Sequence, residues 1–240
     1  MGGYINPKQG SSAKAYHKKT KEYINMKNKK ISILQLCLTL LFVVCLVISN
    51  IITAKQVLLP FNITMTAAVI IFPITYILSD VFSEVYGYKW SRFTCYLGFA
   101  ANLFAVLVFT AVIATPAPDY WTNQEAFATV LGNTPRILAA SLLGFVIGDL
   151  VNDKVFKRFK DKHPDDHKGF GFRAILSSFL GELVDSCIFL PLAFIGQMPL
   201  STLATMMVCQ VLIKTGYEVV ILPLTHLVVR KVSQFEKNLA

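Results

Sequence analysis

Charge is what this sequence has least of. Only 15% of its 240 residues are Asp, Glu, Lys or Arg, while 54% are hydrophobic; an ordinary soluble domain carries about 25% charged residues, so a soluble globule is excluded. Cysteine is confined to Cys37, Cys45, Cys95, Cys187 and Cys209, each inside an apolar block and none in C-x-x-C spacing. These read as small core residues, and neither a disulfide framework nor a metal site is indicated. Catalytic signatures are missing as well: there is no H-E-x-x-H, no G-x-x-x-x-G-K-[ST] phosphate loop and no G-x-S-x-G turn. Ile147-Gly148-Asp149 lacks the extra glycine of the intramembrane aspartyl protease pattern, and His163 and His167 are separated by Pro164 and two aspartates in a charged stretch. An enzyme is not expected, and no catalytic residue or cofactor is assigned.

What the chain does have is long apolar blocks, such as Ile31 to Asn50 and Leu97 to Thr115. A helix of about 20 residues crosses a hydrocarbon core about 30 Å thick. Block length and breakers predict six spans, at 31–52, 63–84, 92–115, 136–157, 173–196 and 203–229. The expected fold is an all-α integral membrane protein, a six-transmembrane-helix bundle covering 31–232. Before it, residues 1–30 are polar, lysine-rich and broken by Gly3, Pro7 and Gly10; they lack the apolar surface to offset ordering entropy and read as a disordered basic tail. Residues 233–240 read as a short C-terminal tail. The second span is the weakest, because it holds Pro73 and the polar string Ser79-Asp80-Val81-Phe82-Ser83-Glu84; it is read as a full span, with a broken or re-entrant helix as the alternative. Tyr120 and Trp121, after the third span, fit an interfacial segment.

A net charge of +9 raises the question of nucleic acid, but the basic residues flank apolar blocks without interleaved aromatics, so no nucleic-acid partner is expected. Their distribution reads instead as topology. Twenty of the 23 fall in the N-terminal tail, after the second span, after the fourth and at the C-terminus; Lys55 and Arg136 fall on the other side, and Lys214 lies within the sixth span. Cytoplasmic loops carry that excess, so both termini are expected in the cytoplasm, with the protein in the plasma (inner) membrane.

Acidic and basic groups inside the spans need a reason, since a charge at a helix centre costs about 2.5–3.5 kcal/mol on insertion scales. Counting 1.5 Å per residue, Glu182 and Asp185 lie about 13 and 18 Å into the fifth span, and Lys214 about 16 Å into the sixth. These three reach mid-membrane. Glu182 and Asp185 are three residues apart and share a helix face. Asp80, Glu84, Asp149, Asp153 and Glu218 fall in the cytoplasmic half, where snorkelling lowers the penalty. Two carboxylates and one ammonium make a net negative pocket that suits a planar heterocycle with adjacent ring N–H and amino donors. Phe72, Tyr76, Phe189 and Tyr217 are the stacking candidates. The competing reading is that Lys214 only neutralises a carboxylate and ties two helices together. Ala140, Gly144 and Gly148 recur every four residues and read as a helix-packing seam.

Four motifs in order, followed by Lys214, carry a family resemblance. They are Ser49-Asn50; Pro73 ahead of Ser79-Asp80-Val81-Phe82-Ser83-Glu84-Val85-Tyr86-Gly87; Gly148-Asp149-Leu150-Val151-Asn152-Asp153; and the run Arg173 to Ser186 with Gly181-Glu182 and Asp185 in it. Over about residues 31–232 the sequence resembles the queuosine precursor transporter family, also called the vitamin uptake transporter family. The resemblance implies six transmembrane helices, a fold similar to the substrate-binding subunits of energy-coupling-factor vitamin transporters, and import of 7-deazaguanine precursors of the tRNA nucleoside queuosine. Carried over by position, the substrate-binding candidates are Asn50, Asp80, Glu84, Arg173, Glu182, Asp185 and Lys214. Members commonly act alone, so a separate ATPase module ranks below gradient-driven or trapping modes; a homo-oligomer is compatible but nothing requires it. An importer of another vitamin-like heterocycle, or a non-transporting membrane scaffold, is the alternative.

Overall fold

Of the apolar blocks, five fold as long helices and one does not. The computed structural model describes residues 31–162 and 170–239; the basic tail and the His163–His167 pair lie outside the described residues. Ser32 opens the first helix, α1 (Ile33–Ile52), by accepting the Gln35 N–H on Oγ at 2.9 Å, which satisfies one of the orphan donors of a helix start. From Leu38 onward the chain forms one compact unit.

After α1 come two short antiparallel strands, β1 (Gln56–Leu59) and β2 (Ile63–Thr66), paired Gln56 to Thr66 and Leu59 to Ile63. A three-residue loop joins them, with Asn62 in the left-handed region at φ 57°, where a short amide side chain is tolerated. The chain then makes a 3₁₀ turn (Ala67–Ile70), helix α2 (Phe72–Val81) and a π turn (Phe82–Tyr86). The expected second span at 63–84 is therefore corrected: it is a strand and three short helical pieces, not one helix. Pro73 is the local cause. It has no N–H to donate, so it sits in the first turn of α2 and no helix runs through it from the strand. Gly87, at φ 88° and ψ 160°, closes the π turn in a backbone region open essentially to glycine alone.

The remaining elements are α3 (Tyr88–Ala114), the short α4 (Gln124–Leu131), α5 (Thr134–Lys162), α6 (Phe170–Phe194) and α7 (Leu200–Leu239). Five segments among the described residues are long and apolar enough to cross a membrane: Ile33–Ile52, Tyr88–Ala114, Gln124–Asn152, Leu176–Phe194 and Leu200–Asn238. This is an all-α membrane protein with a small hairpin added. Leucines and valines stand exposed along the long helices, while Thr94, Asn102, Ser177, Ser186, Gln210 and Lys214 are buried. That distribution suits lipid outside and polar groups within.

Two apolar clusters bracket the interior. Phe42, Leu78 and Phe82 pack toward the end rich in basic residues, with the Phe42 and Phe82 rings edge to face at 5.6 Å. At the opposite end Ala140, Leu190, Ala193, Phe194, Leu203 and Met206 close together. There Arg136 donates to the Leu192 and Ile195 carbonyls at 2.6 and 2.7 Å, satisfying the C-terminal oxygens of α6. Among the described residues α5 and α6 pack most extensively, and Gly144 and Gly148 let the α6 backbone approach to contact.

Candidate functional site

Between the two clusters sits an ion triad. The ammonium of Lys214 on α7 donates to Glu182 Oε2 at 2.6 Å and to Asp185 Oδ2 at 2.8 Å, both on α6. The three-residue spacing of the carboxylates puts them on one face, one turn apart, so a single cation reaches both. Lys214 is 7% exposed, and its Nζ lies 5.5 Å from the centre of the Phe72 ring on α2, within cation–π range. Two carboxylates against one ammonium leave the cluster short of positive charge.

The triad borders two cavities. The larger, about 340 Å³, lies toward the basic end; its wall includes Tyr76, Phe145, Asp149, Glu182 and Glu218. That is within the range of small-molecule pockets. The smaller, about 120 Å³, lies on the other side of the triad, against Asn50, Thr66, Asn102, Phe189 and Gln210. Phe72, Phe99, Ser141, Asp185 and Lys214 line both and form the belt between them. On the larger cavity, Asp149 of α5 pairs with Arg92 of α3 at 2.7 Å, and the Arg92 guanidinium lies over the Tyr88 ring.

The structure brings Glu182, Asp185 and Lys214 together, sets Asn50 and Phe189 on the smaller cavity, and sets Phe72 and Tyr76 beside the triad. Three other candidates lie apart from these. On α2 the residues lining the larger cavity are Phe72, Thr75, Tyr76 and Ser79; Asp80 and Glu84 are among the lining residues of neither cavity. Tyr217 is half-buried and also off both walls, because Gln210, Lys214 and Glu218 repeat every four residues and define the inward stripe of α7. Arg173 falls in the opening turn of α6, and its side chain lies outside what the structure describes.

Neither Asn102 nor Gln210 stood out in the sequence, and Glu218 read only as a charge in the cytoplasmic half of its span. For Gln210 and Glu218 the signal was present, since both lie one turn from Lys214 on the same face. Asn102 offered only its isolation, a lone amide within the apolar run of α3.

The family described as "Putative vitamin uptake transporter" matches residues 66–228. A "Probable queuosine precursor transporter" of Bacillus subtilis (strain 168) is 26% identical over 178 residues, covering 74% of this chain and 77% of that protein. No solved structure matches.

Proposed function

The chain belongs to the vitamin uptake transporter family, and from that premise we propose that it imports 7-deazaguanine precursors of queuosine. The observation that carries this reading is the cavity of about 340 Å³ beside Lys214, walled by aromatic rings and by more carboxylates than cations. A deazaguanine offers a ring N–H and an exocyclic amine on one edge, and an ionised carboxylate accepts both. Asp185 and Glu182 are the acceptors in this reading, with Phe72 and Tyr76 covering the ring face. Lys214 holds the two carboxylates in position until ligand N–H groups take up their remaining oxygens. Asn50, Asp80, Glu84, Arg173, Phe189 and Tyr217 stay candidates. The net acidity also suits a precursor bearing an aminomethyl cation.

Import requires the site to face each side in turn. In this reading the chain makes six crossings of a plasma or inner membrane, with both termini cytoplasmic. The second crossing in this reading is the broken stretch from Ala67 to Tyr86, whose pieces sum to roughly 30 Å of rise. In this reading energy comes from a gradient or from trapping of the product inside, with a separate ATPase module ranked below these and a homo-oligomer compatible but not required. The division into a basic tail, a transporter domain and a short C-terminal tail belongs to the same reading.

The test is uptake of radiolabelled queuine and of its aminomethyl and cyano precursors into proteoliposomes. Wild-type protein is expected to accumulate at least one of them chemically intact, and Asp185→Asn to lower the rate at least about tenfold. Uptake no faster than in protein-free liposomes for all three overturns the substrate assignment. Uptake of another heterocycle instead identifies a different vitamin-like cargo, and Asp185→Asn lowering abundance with no solute transported points to a scaffold.

A further inference from the structure

Among the described residues four carboxylates line the larger cavity: Asp149, Glu182, Asp185 and Glu218. Three of them have a cation. Glu182 and Asp185 share Lys214 at 2.6 and 2.8 Å, and Asp149 meets Arg92 at 2.7 Å. Glu218, half-buried on α7, has no hydrogen bond or ion pair among the described residues, and its oxygens are not closed off from the cavity it lines. Its position makes the missing cation matter. Glu218 lies one turn, about 6 Å of rise, past Lys214 and roughly 16 Å short of Val229, with Val219, Val220 and Leu222 exposed around it on the outer face. A charge at that depth is costly unless something answers it. The groups that act on Glu218 are Glu182 of α6, Asp80 and Tyr76 of α2 and Lys214 of its own helix. His226, two turns further along α7, is set against Asp80, as is Glu84 of the π turn. None of these is a spare cation.

We propose that Glu218 is a proton-binding residue, and that a neutral cargo and one proton occupy the larger cavity together and leave it together. The proposal rests on the transport reading above and deepens it by naming the gradient. Cargo that fills a cavity of about 340 Å³ displaces water from around Glu218. An ionised carboxylate stripped of water and without a cation is disfavoured, so one Glu218 oxygen takes a proton from the adjoining water, forming an O–H and losing its charge, while no bond in the cargo changes. Glu182, Asp185 and Asp149 have cations to offset the same loss of water. The coupling is reciprocal: cargo that favours the proton is itself favoured by the proton, by the same factor. A proton gradient directed inward therefore carries the cargo inward, and the proton departs when the emptied cavity refills with water.

The test uses the full chain in proteoliposomes and the cyano precursor, whose side group carries no charge, with the membrane potential clamped and sodium absent. With the outside about one pH unit more acid than the lumen, wild type is expected to accumulate label up to about tenfold, the limit for one proton per cargo, to lose the accumulation on addition of a protonophore, and to acidify the lumen as cargo enters. Glu218→Gln, which imitates the protonated form, should still exchange external label for internal unlabelled cargo but accumulate none above the outside concentration. It should melt no lower than wild type, since it removes an unpaired charge. Glu218→Met takes its place if it fails to fold, and Glu218→Asp should restore gradient-driven accumulation. A Glu218→Gln that loses exchange and accumulation in parallel, or keeps both, overturns the proton site and leaves the transport reading standing. So does a wild type indifferent to the pH difference, one driven by sodium instead, or one that moves the aminomethyl precursor and not the cyano one, in which case the cargo's own cation answers Glu218. A wild type that moves none of the precursors overturns both.

Discussion

Gly144 of α5 lies so close to Asp185 of α6 that a Cβ at position 144 would stand 2.5 Å from Asp185 Oδ1. The seam that packs the two helices is therefore also what positions a carboxylate of the triad. Helix packing and site geometry are one construction here.

Gly144→Ala should push Asp185 away from Lys214, which it meets at 2.8 Å. Overpacking of this kind costs about 1–3 kcal/mol. Gly148→Ala should be worse, because its new carbon would meet the Gly181 carbonyl oxygen at 2.8 Å and backbone yields less than a side chain. Gly216→Ala is the control, with nothing within 4 Å and a helix-propensity gain of about 0.5–1 kcal/mol. Melting temperature and queuine uptake, measured together, should fall for the first two and hold or rise in stability for the third.

Lys214→Met leaves two adjacent carboxylates with their cation removed. Breaking a buried ion pair from one side costs about 3–5 kcal/mol, so yield and melting temperature should drop sharply. Adding Glu182→Gln removes one of the stranded charges and should recover part of the loss. A double variant no more stable than Lys214→Met would show that the pair is not energetically coupled.

Arg136 is one of the few cations away from the basic end, and its guanidinium serves the Leu192 and Ile195 carbonyls. Arg136→Leu strands those oxygens and should cost about 1–2 kcal/mol, discounted for partial exposure. Arg136→Lys, which cannot reproduce the two-pronged geometry, should fall between. Thermal unfolding in detergent reads the order directly.

The broken second crossing has its own measurement. With Cys37, Cys45, Cys95, Cys187 and Cys209 replaced by alanine, single cysteines at Gln56 and Lys89 should react with a membrane-impermeant maleimide from opposite sides. Labelling of both from one side would make the stretch from β1 to the π turn re-entrant and leave five crossings.

Much of this was legible one residue at a time. Hydropathy summed along a 1.5 Å rise identifies a membrane helix without reference to any neighbour, so α1, α3, α5, α6 and α7 all appear in the sequence, although α7 runs ten residues past its expected end at 229, to Leu239. The spacing of Glu182 and Asp185 likewise fixes a shared face through helical periodicity alone. What tertiary structure decided was which polar groups meet a void. Asp80 and Ser79 are neighbours in sequence and both polar, yet only Ser79 is a lining residue of the larger cavity, because the rotation of α2 is set by its packing against α7. Asn102, Thr66 and Gln210 lie on three different elements, and only the tertiary fold brings them to the wall of one cavity. Local composition can say that a charge is buried; only packing between distant segments determines what it faces.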